Sequence, residues 1–407
     1  LDHRTGCYAF LEMPRMTTVR PYPITAYGLC TGLGRTAREH LAALREGRRG
    51  LRACPIPTPF EALTGTVPGD LPDIPAGAWG HHSRTAQVAL LGYEDIAPAV
   101  DRAVQRWGAE RVALIAGTST GGVGVTEDAH EHFARTGEQA PEGYDYHRQH
   151  PFHVFVEALR ERSGIAGPRY VPSTACSSSG KVFASARRLL DLELVDAVLV
   201  GGVDGLCHTT VDGFHHLGVQ ATVPCRPFGV DRPGMNIGEG GAFVLLEREG
   251  EGPAWLLGVG ETSDAFHQSS PDPEGHGAIA AMRQSLAQAG LEPEQVDHIN
   301  AHGTGTAKND VAEARAIEAV FGLGVPVAST KGYTGHTLGA CGAVEAIFGI
   351  MAIEHGFLAE SVGSAPIDPD VHIPIVTERA DRKVSTVLSN AFAFGGNNCS
   401  VLLGGPR

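Results

Sequence analysis

A layered α/β fold with buried sheets is the class this sequence predicts, on three observations. Short apolar runs bounded by glycine read as buried strands at 112–116, 197–200, 384–388 and 399–403. Amphipathic stretches at 184–194, 278–289 and 312–321 read as helices between them, the alternation expected of sheets covered by helices. A small-residue turn at 173–180 precedes the first of these helices, and a similar turn at 334–340 precedes a helix at 343–353. That repetition predicts a duplicated fold with one site between its halves.

Taken in order, the chain opens on a polar leader. Asp2, Arg4, Glu12 and Arg15 leave it without an apolar core, so it is not a secretory signal, and folded protein reads from Pro21 onward. The polar, histidine-rich segment at 126–162 reads as an insertion or lid rather than core. Glycine makes up 53 of 407 residues and clusters in short loops such as Gly238-Glu239-Gly240-Gly241, a use that suits tight turns and close backbone approaches.

Composition excludes several classes. The net charge of −14, from 32 basic and 46 acidic residues, argues against a nucleic-acid partner. No uninterrupted run of 18 apolar residues exists, so no membrane association is expected. The eight cysteines show no CxxC spacing and read as free thiols in a reducing compartment, with the cytoplasm as the expected location.

Three motifs carry chemistry. In Thr174-Ala175-Cys176-Ser177-Ser178, small neighbours leave Cys176 open to attack a substrate, and a helix start lowers a thiol's pKa. In Asn300-Ala301-His302-Gly303-Thr304-Gly305-Thr306, His302 ends the strand-like run 296–299, where α/β folds display functional groups. His298 and His302 invite a zinc reading, but a strand sets them about 13 Å apart and no HExxH glutamate is present, so no metal is expected. In Ser329-Thr330-Lys331-Gly332-Tyr333-Thr334-Gly335-His336, a glycine-punctuated loop can bring a cation beside an imidazole. The glycine-rich turn in 390–398 can present backbone N–H groups to an oxyanion. Neither Ser179-Gly180-Lys181-Val182 nor the run at 117–124 has the spacing of a phosphate-binding loop.

Together and in this order, these motifs resemble the β-ketoacyl-acyl-carrier-protein synthases, condensing enzymes of the thiolase fold. Arg226-Pro227-Phe228, Gly238-Glu239-Gly240, Ser263-Asp264-Ala265-Phe266-His267 and the tail Ala391-Phe392-Ala393-Phe394-Gly395-Gly396 extend the match over most of the chain. The two-histidine pattern is similar to the elongating branch. The resemblance implies a five-layered α-β-α-β-α fold: a leader at 1–22, a first half at 23–255 with the insertion at 126–162, and a second half at 256–407.

It also implies roles. Cys176 would accept the acyl chain as a thioester, and His302 and His336 would serve malonyl decarboxylation, with Lys331 orienting them. Glu313 would fix the loop and Lys331, and Asp310 would support it. The amides of Cys176 and Phe394 would form the oxyanion hole. Thr304, Thr306 and Ser269 would contact a pantetheine arm, while Phe394, Phe214 and Thr120 would gate or line the acyl pocket. No cofactor is implied, because the phosphopantetheine arm arrives on the acyl carrier protein as substrate. The implied partners are that carrier and a second subunit, identical or related.

The reaction implied is decarboxylative condensation that lengthens a fatty acid, polyene or polyketide chain by two carbons. The Lys331–Gly339 wording is similar to specialised polyene, aryl polyene or type II polyketide synthases. Ala393, Asn397, Gly229 and Pro233 depart from the family's usual residues. The rival from another class is a non-catalytic chain-length-determining partner subunit, which lacks the nucleophilic cysteine. A degradative thiolase is a third reading, weakened because its pattern uses a second cysteine as base. Docking of an acidic carrier on this acidic chain requires a local patch, for which Arg84 with His81 and His82, or His215 with His216, are candidates.

Overall fold

The structure is a computed structural model that describes residues 18–74, 82–137 and 140–406. Most of the expected leader lies outside the described residues, but its last residue does not: Tyr22 already opens the first strand. Ten strands pair into one sheet assembled from two halves. The first half contributes β1 (Tyr22–Thr31), β2 (Val112–Gly117), β3 (Arg169–Tyr170), β4 (Ala197–Asp204) and β5 (Gly240–Glu247). The second contributes β6 (Ala254–Ser263), β7 (His298–Asn300), β8 (Val327–Ala328), β9 (Thr386–Ala393) and β10 (Asn397–Gly404).

The halves are joined where Ile24 pairs antiparallel with Ala254 and Tyr22 with Leu256. Outward from this joint, each half orders its strands first, fifth, fourth, second, third. Identical order in both is the duplication that the paired turns predict. The expected division at 255/256 falls just inside β6, and the connection between halves is the loop at 248–253.

Five layers follow from which faces are apolar. The helices concerned are α1 (Arg84–Glu94), α2 (Val123–Thr136), α3 (Val154–Ser163), α4 (Ser178–Asp191), α5 (His208–His216), α6 (His276–Ala289), α7 (Ala307–Phe321) and α8 (Cys341–His355). Strands alternate their side chains, so each half-sheet has two apolar faces to cover. Ala113 and Ile115 of β2 face the central layer with Val182 and Phe183 of α4 and Val344 and Ile347 of α8. Val112 and Leu114 face outward against Val88 and Leu91 of α1 and Phe155 and Leu159 of α3. In the second half, Met282 of α6 and Ile317 of α7 cover Ile299 and Leu388.

Two expectations change. The segment at 126–162 is helical over most of its length. Its α3 is core, with Val154, Phe155, Val156, Ala158 and Leu159 all buried, because interspersed polar residues mask a short helix's apolar face in sequence. The helix expected at 184–194 begins six residues earlier and ends at Asp191, since part of the small-residue turn forms its first turn. Residues 338–355, α8 and the turn before it, are apolar enough in composition to cross a bilayer, with mean hydropathy 1.4, but 89% of that stretch is buried inside the protein.

The two central helices start against each other. Ala343 N–H donates to Ser179 Oγ at 2.9 Å. A Cβ placed on Gly342 would come within 2.5 Å of the Gly180 backbone nitrogen, so only glycine permits this approach. Gly342→Ala should therefore lower stability by about 1–3 kcal/mol through overpacking, read as a reduced thermal midpoint. An unchanged midpoint would contradict this packing.

Candidate active site

The small-residue turn before α4 places its cysteine by backbone strain. Ala175 sits at φ 50°, a region that a side chain rarely adopts, and this bend turns Cys176 toward the second half of the molecule. Ser178 holds the bend closed, its hydroxyl accepting from Thr174 N–H at 2.9 Å and donating to the Ala175 carbonyl. Leu338, two residues after His336, has φ 51° in the matching turn of the other half. Two strained turns thus meet at one point.

Cys176 Sγ lies 3.0 Å from His336 Nε2. The His302 and His336 rings stand nearly perpendicular, with centroids 5.2 Å apart. One nitrogen of each ring and the sulfur all fall within 4.8 Å of one another. Such a set suits a soft cation, but the ammonium of Lys331, 3.2 Å from His302 Nδ1, opposes positive charge there. An ammonium can only donate, so His302 Nδ1 accepts and its proton sits on Nε2. His336 Nδ1 is buried without a partner among the described residues. An unmet lone pair there is tolerated better than an unmet N–H, which assigns the His336 proton to Nε2 as well.

Lys331 is 1% exposed and pairs with the equally buried Glu345, which α8 carries into the central layer. Burial alone would lower the Lys331 pKa, but the charge of Glu345, with Cys341 and Glu313, outweighs it and keeps the ammonium charged. Glu345 itself is pushed up to about 7 by burial against the pull of Lys331. Burial, then the Lys331 charge, hold both His302 and His336 well below the ordinary imidazole range, so both are neutral at physiological pH.

Glu313 takes one of its two expected parts by direct bonding, fixing the loop, while the bonded partner of Lys331 is another acid. Its carboxylate accepts from His302 N–H at 2.8 Å and Gly303 N–H at 2.7 Å, which fixes the histidine loop, but the partner of Lys331 is Glu345. Asp310 accepts from Phe228 N–H and Gly305 N–H and so braces the same loop. The cysteine also departs from expectation. Burial pushes its thiol up to about 11, although Lys331 and the amides of Phe394 and Cys176 pull the other way. Desolvation exceeds the effect of the helix start, and the resting sulfur is a thiol.

A cavity of about 450 Å³ opens from Cys176 to the surface. Thr304 and Thr306, their hydroxyls 2.8 Å apart, line its middle with Ser269, while Phe214 and Phe394 stand over the sulfur with ring centroids 5.8 Å apart. Thr120 is not on this cavity. Its hydroxyl donates to Asp204 at 2.7 Å, and the residue lines a separate space of about 280 Å³ with Ile56, Leu206 and Cys207.

Asp204, fully buried at the end of β4, also accepts from Thr118, Ser119 and the Gly339 amide, tying both halves together behind the cysteine. Neither Asp204 nor Glu345 is foreseen by the motifs. The available signal is a lone acid closing an apolar strand in one case, and a lone acid within an apolar helix in the other. Of the docking candidates, Arg84 is committed to Glu239 through two 2.6 Å bonds, and His81 lies outside the described residues. His215 stacks on Phe60 at 3.5 Å, and His216 is exposed.

Comparison with known proteins identifies the family. Residues 21–251 match the family described as beta-ketoacyl synthase, N-terminal domain, and residues 254–364 match its C-terminal domain. The chain is 32% identical to nodulation protein E of Rhizobium sp. (strain N33), over 92% of this chain and 96% of that protein. It is 38% identical to the mitochondrial 3-oxoacyl-[acyl-carrier-protein] synthase of Arabidopsis thaliana, a match covering 59% of this chain and 57% of that protein. Among solved structures, the ketosynthase ApeO in complex with its chain length factor ApeC, from Xenorhabdus doucetiae, superposes with TM-score 0.88 at 37% identity, covering 95% of this chain and 98% of that one.

Two outcomes follow from the electrostatics. Because thiolate is the reactive form and the thiol pKa is raised, alkylation of Cys176 by iodoacetamide should climb about tenfold per pH unit from about pH 7 to about pH 10. A plateau near neutrality would indicate a preformed thiolate and contradict this. Glu345→Gln leaves Lys331 buried without its counter-charge and should cost about 3–5 kcal/mol in a denaturant titration. A variant as stable as its parent would show that the pair is not what holds the loop.

Proposed function

The chain belongs to the β-ketoacyl synthase family, and from that premise we propose that Cys176, His302 and His336 perform its condensation. It is an acyltransferase that joins an acyl group to a malonyl unit with loss of carbon dioxide. The observation that carries the residue assignment is the convergence of the sulfur and two neutral imidazoles at the floor of one open cavity.

In the first half-reaction Cys176 takes the acyl group from a carrier thioester, and the carrier leaves as free thiol carrying the cysteine's proton. The amides of Phe394 and Cys176 face the reacting sulfur and stabilise the oxyanion of the tetrahedral intermediate. In the second, malonyl-carrier enters and the Nε2–H groups of His302 and His336 donate to its thioester carbonyl. As carbon dioxide departs, that oxygen becomes an enolate held by the same two donors. The enolate carbon attacks the thioester on Cys176, the carbon–sulfur bond breaks, and the sulfur recovers a proton from solvent. Neutral imidazoles suit this because they donate without transferring a proton that would quench the carbanion. Lys331 fixes the His302 tautomer, and Asp310 and Glu313 support the loop. Thr304, Thr306 and Ser269 hold the pantetheine arm, with Phe394 and Phe214 as the gate.

The substrate arm arrives on an acyl carrier protein, and the synthase needs no cofactor of its own. We assign the chain to a specialised branch that works beside a chain length factor in the cytoplasm. The likeness to ApeO supports this, as do the exposed aromatic residues Phe133, Tyr146, Phe152 and Tyr170 on the first half, the last of them on the sheet's edge strand.

Incubation with an acyl-carrier thioester should add the acyl mass to Cys176, and malonyl-carrier should discharge it with release of carbon dioxide. Cys176→Ala should gain no mass, and His302→Ala should acylate yet release no carbon dioxide. Equal acylation of the Cys176→Ala protein would overturn the assignment.

A further inference from the structure

The turn between β9 and β10 carries both the gate and one oxyanion donor. Phe394 supplies its ring against Phe214 and its amide toward Cys176. Gly395 and Gly396 follow with φ of 80° and 71°, a pair without side chains that gives the turn no packing of its own. Its placement therefore depends on tethers. Toward its own half these are Gly395 N–H to the Gln268 carbonyl and Asp264 N–H to the Gly396 carbonyl, both 2.8 Å, and Asn398 Nδ2 to Asp264 at 2.6 Å.

Toward the nucleophile there is a tether of another kind. Lys181, five residues past Cys176 on α4, donates its ammonium to Asn397 Oδ1 at 3.0 Å. Asn397 directly follows the glycine pair, and its Nδ2 lies 3.3 Å from where a Gly395 Cβ would stand. One amide thus lies beside the flexible turn and accepts a charge-assisted bond from the helix that begins two residues after the cysteine.

We propose that Lys181 is a positioning residue for the condensation, holding the Phe394 turn in register with the Cys176 sulfur through Asn397. This deepens the condensing reading and rests on it. The bond keeps the amide of Phe394 aimed at the sulfur while the ring covers it. Without the bond, the two glycines let the turn swing, which uncovers the sulfur and misdirects the donor. Access and catalysis then change in opposite directions while the thermal midpoint stays that of the parent, whereas a general loss of stability would raise alkylation and lower activity together with that midpoint.

Lys181→Met keeps the aliphatic stem and removes the donor, Asn397→Leu removes the acceptor, and Asn397→Asp keeps an acceptor of the same shape. The first two should raise the rate of Cys176 alkylation by iodoacetamide about tenfold and lower condensation kcat about tenfold, with KM for the carrier within about twofold of the parent. Asn397→Asp should keep both rates within about twofold of the parent. Unchanged alkylation and kcat in Lys181→Met, or an Asn397→Asp protein that behaves like Asn397→Leu, would overturn the proposal. If Lys181→Met does not fold, the Asn397 pair decides alone. If no carrier substrate is condensed by the parent, the reading of function fails, while the alkylation rates still judge the tether.

Discussion

The buried pair of Lys331 and Glu345 is the constraint on which the candidate site rests. Two charges removed from water at the centre of a five-layered protein are costly unless they satisfy each other, and here α8 brings the carboxylate to the ammonium within the driest layer. The consequence reaches beyond stability. Burial, with a cation fixed beside the near nitrogen of His302, keeps that imidazole neutral with its proton on the far side. Burial holds His336 neutral in the same way and keeps the Cys176 sulfur a thiol until substrate arrives.

Duplication explains how such a site is assembled. Each half delivers a turn with one non-glycine residue at positive φ next to a functional side chain, Ala175 before Cys176 and Leu338 after His336. The helices that follow, α4 and α8, start against each other through Gly180 and Gly342. Asp204 then fastens the second turn to the first half through the Gly339 amide. The reacting groups are therefore set where two buried helices approach closely. The gate, in contrast, belongs to a glycine turn at the surface and depends on a few hydrogen bonds.

Legibility in the sequence follows the same division. Cys176, His302, Lys331 and His336 are readable because each lies in a run of small residues and glycines whose wording reflects tight local geometry. The Phe394–Gly396 turn is readable because two strand patterns flank it. Glu345 and Asp204 are not, since their partners lie 14 and up to 135 residues away and only folding brings them together. Thr120 is placed by the same carboxylate: its hydroxyl donates to Asp204, and the residue lines the separate space beside Leu206 and Cys207. The helix α3 is missed because a short helix buried on several sides leaves no clean periodicity.

The protonation state of the two imidazoles tests the account most directly. Nitrogen-15 NMR of histidine-labelled protein should show His302 and His336 as neutral rings bearing hydrogen on Nε2 from about pH 8 down to about pH 6, with neither titrating near the ordinary value of about 6.5. An imidazolium signal from either ring at neutral pH would mean that Cys176 is paired with a cation, and that the two rings do not act as neutral donors.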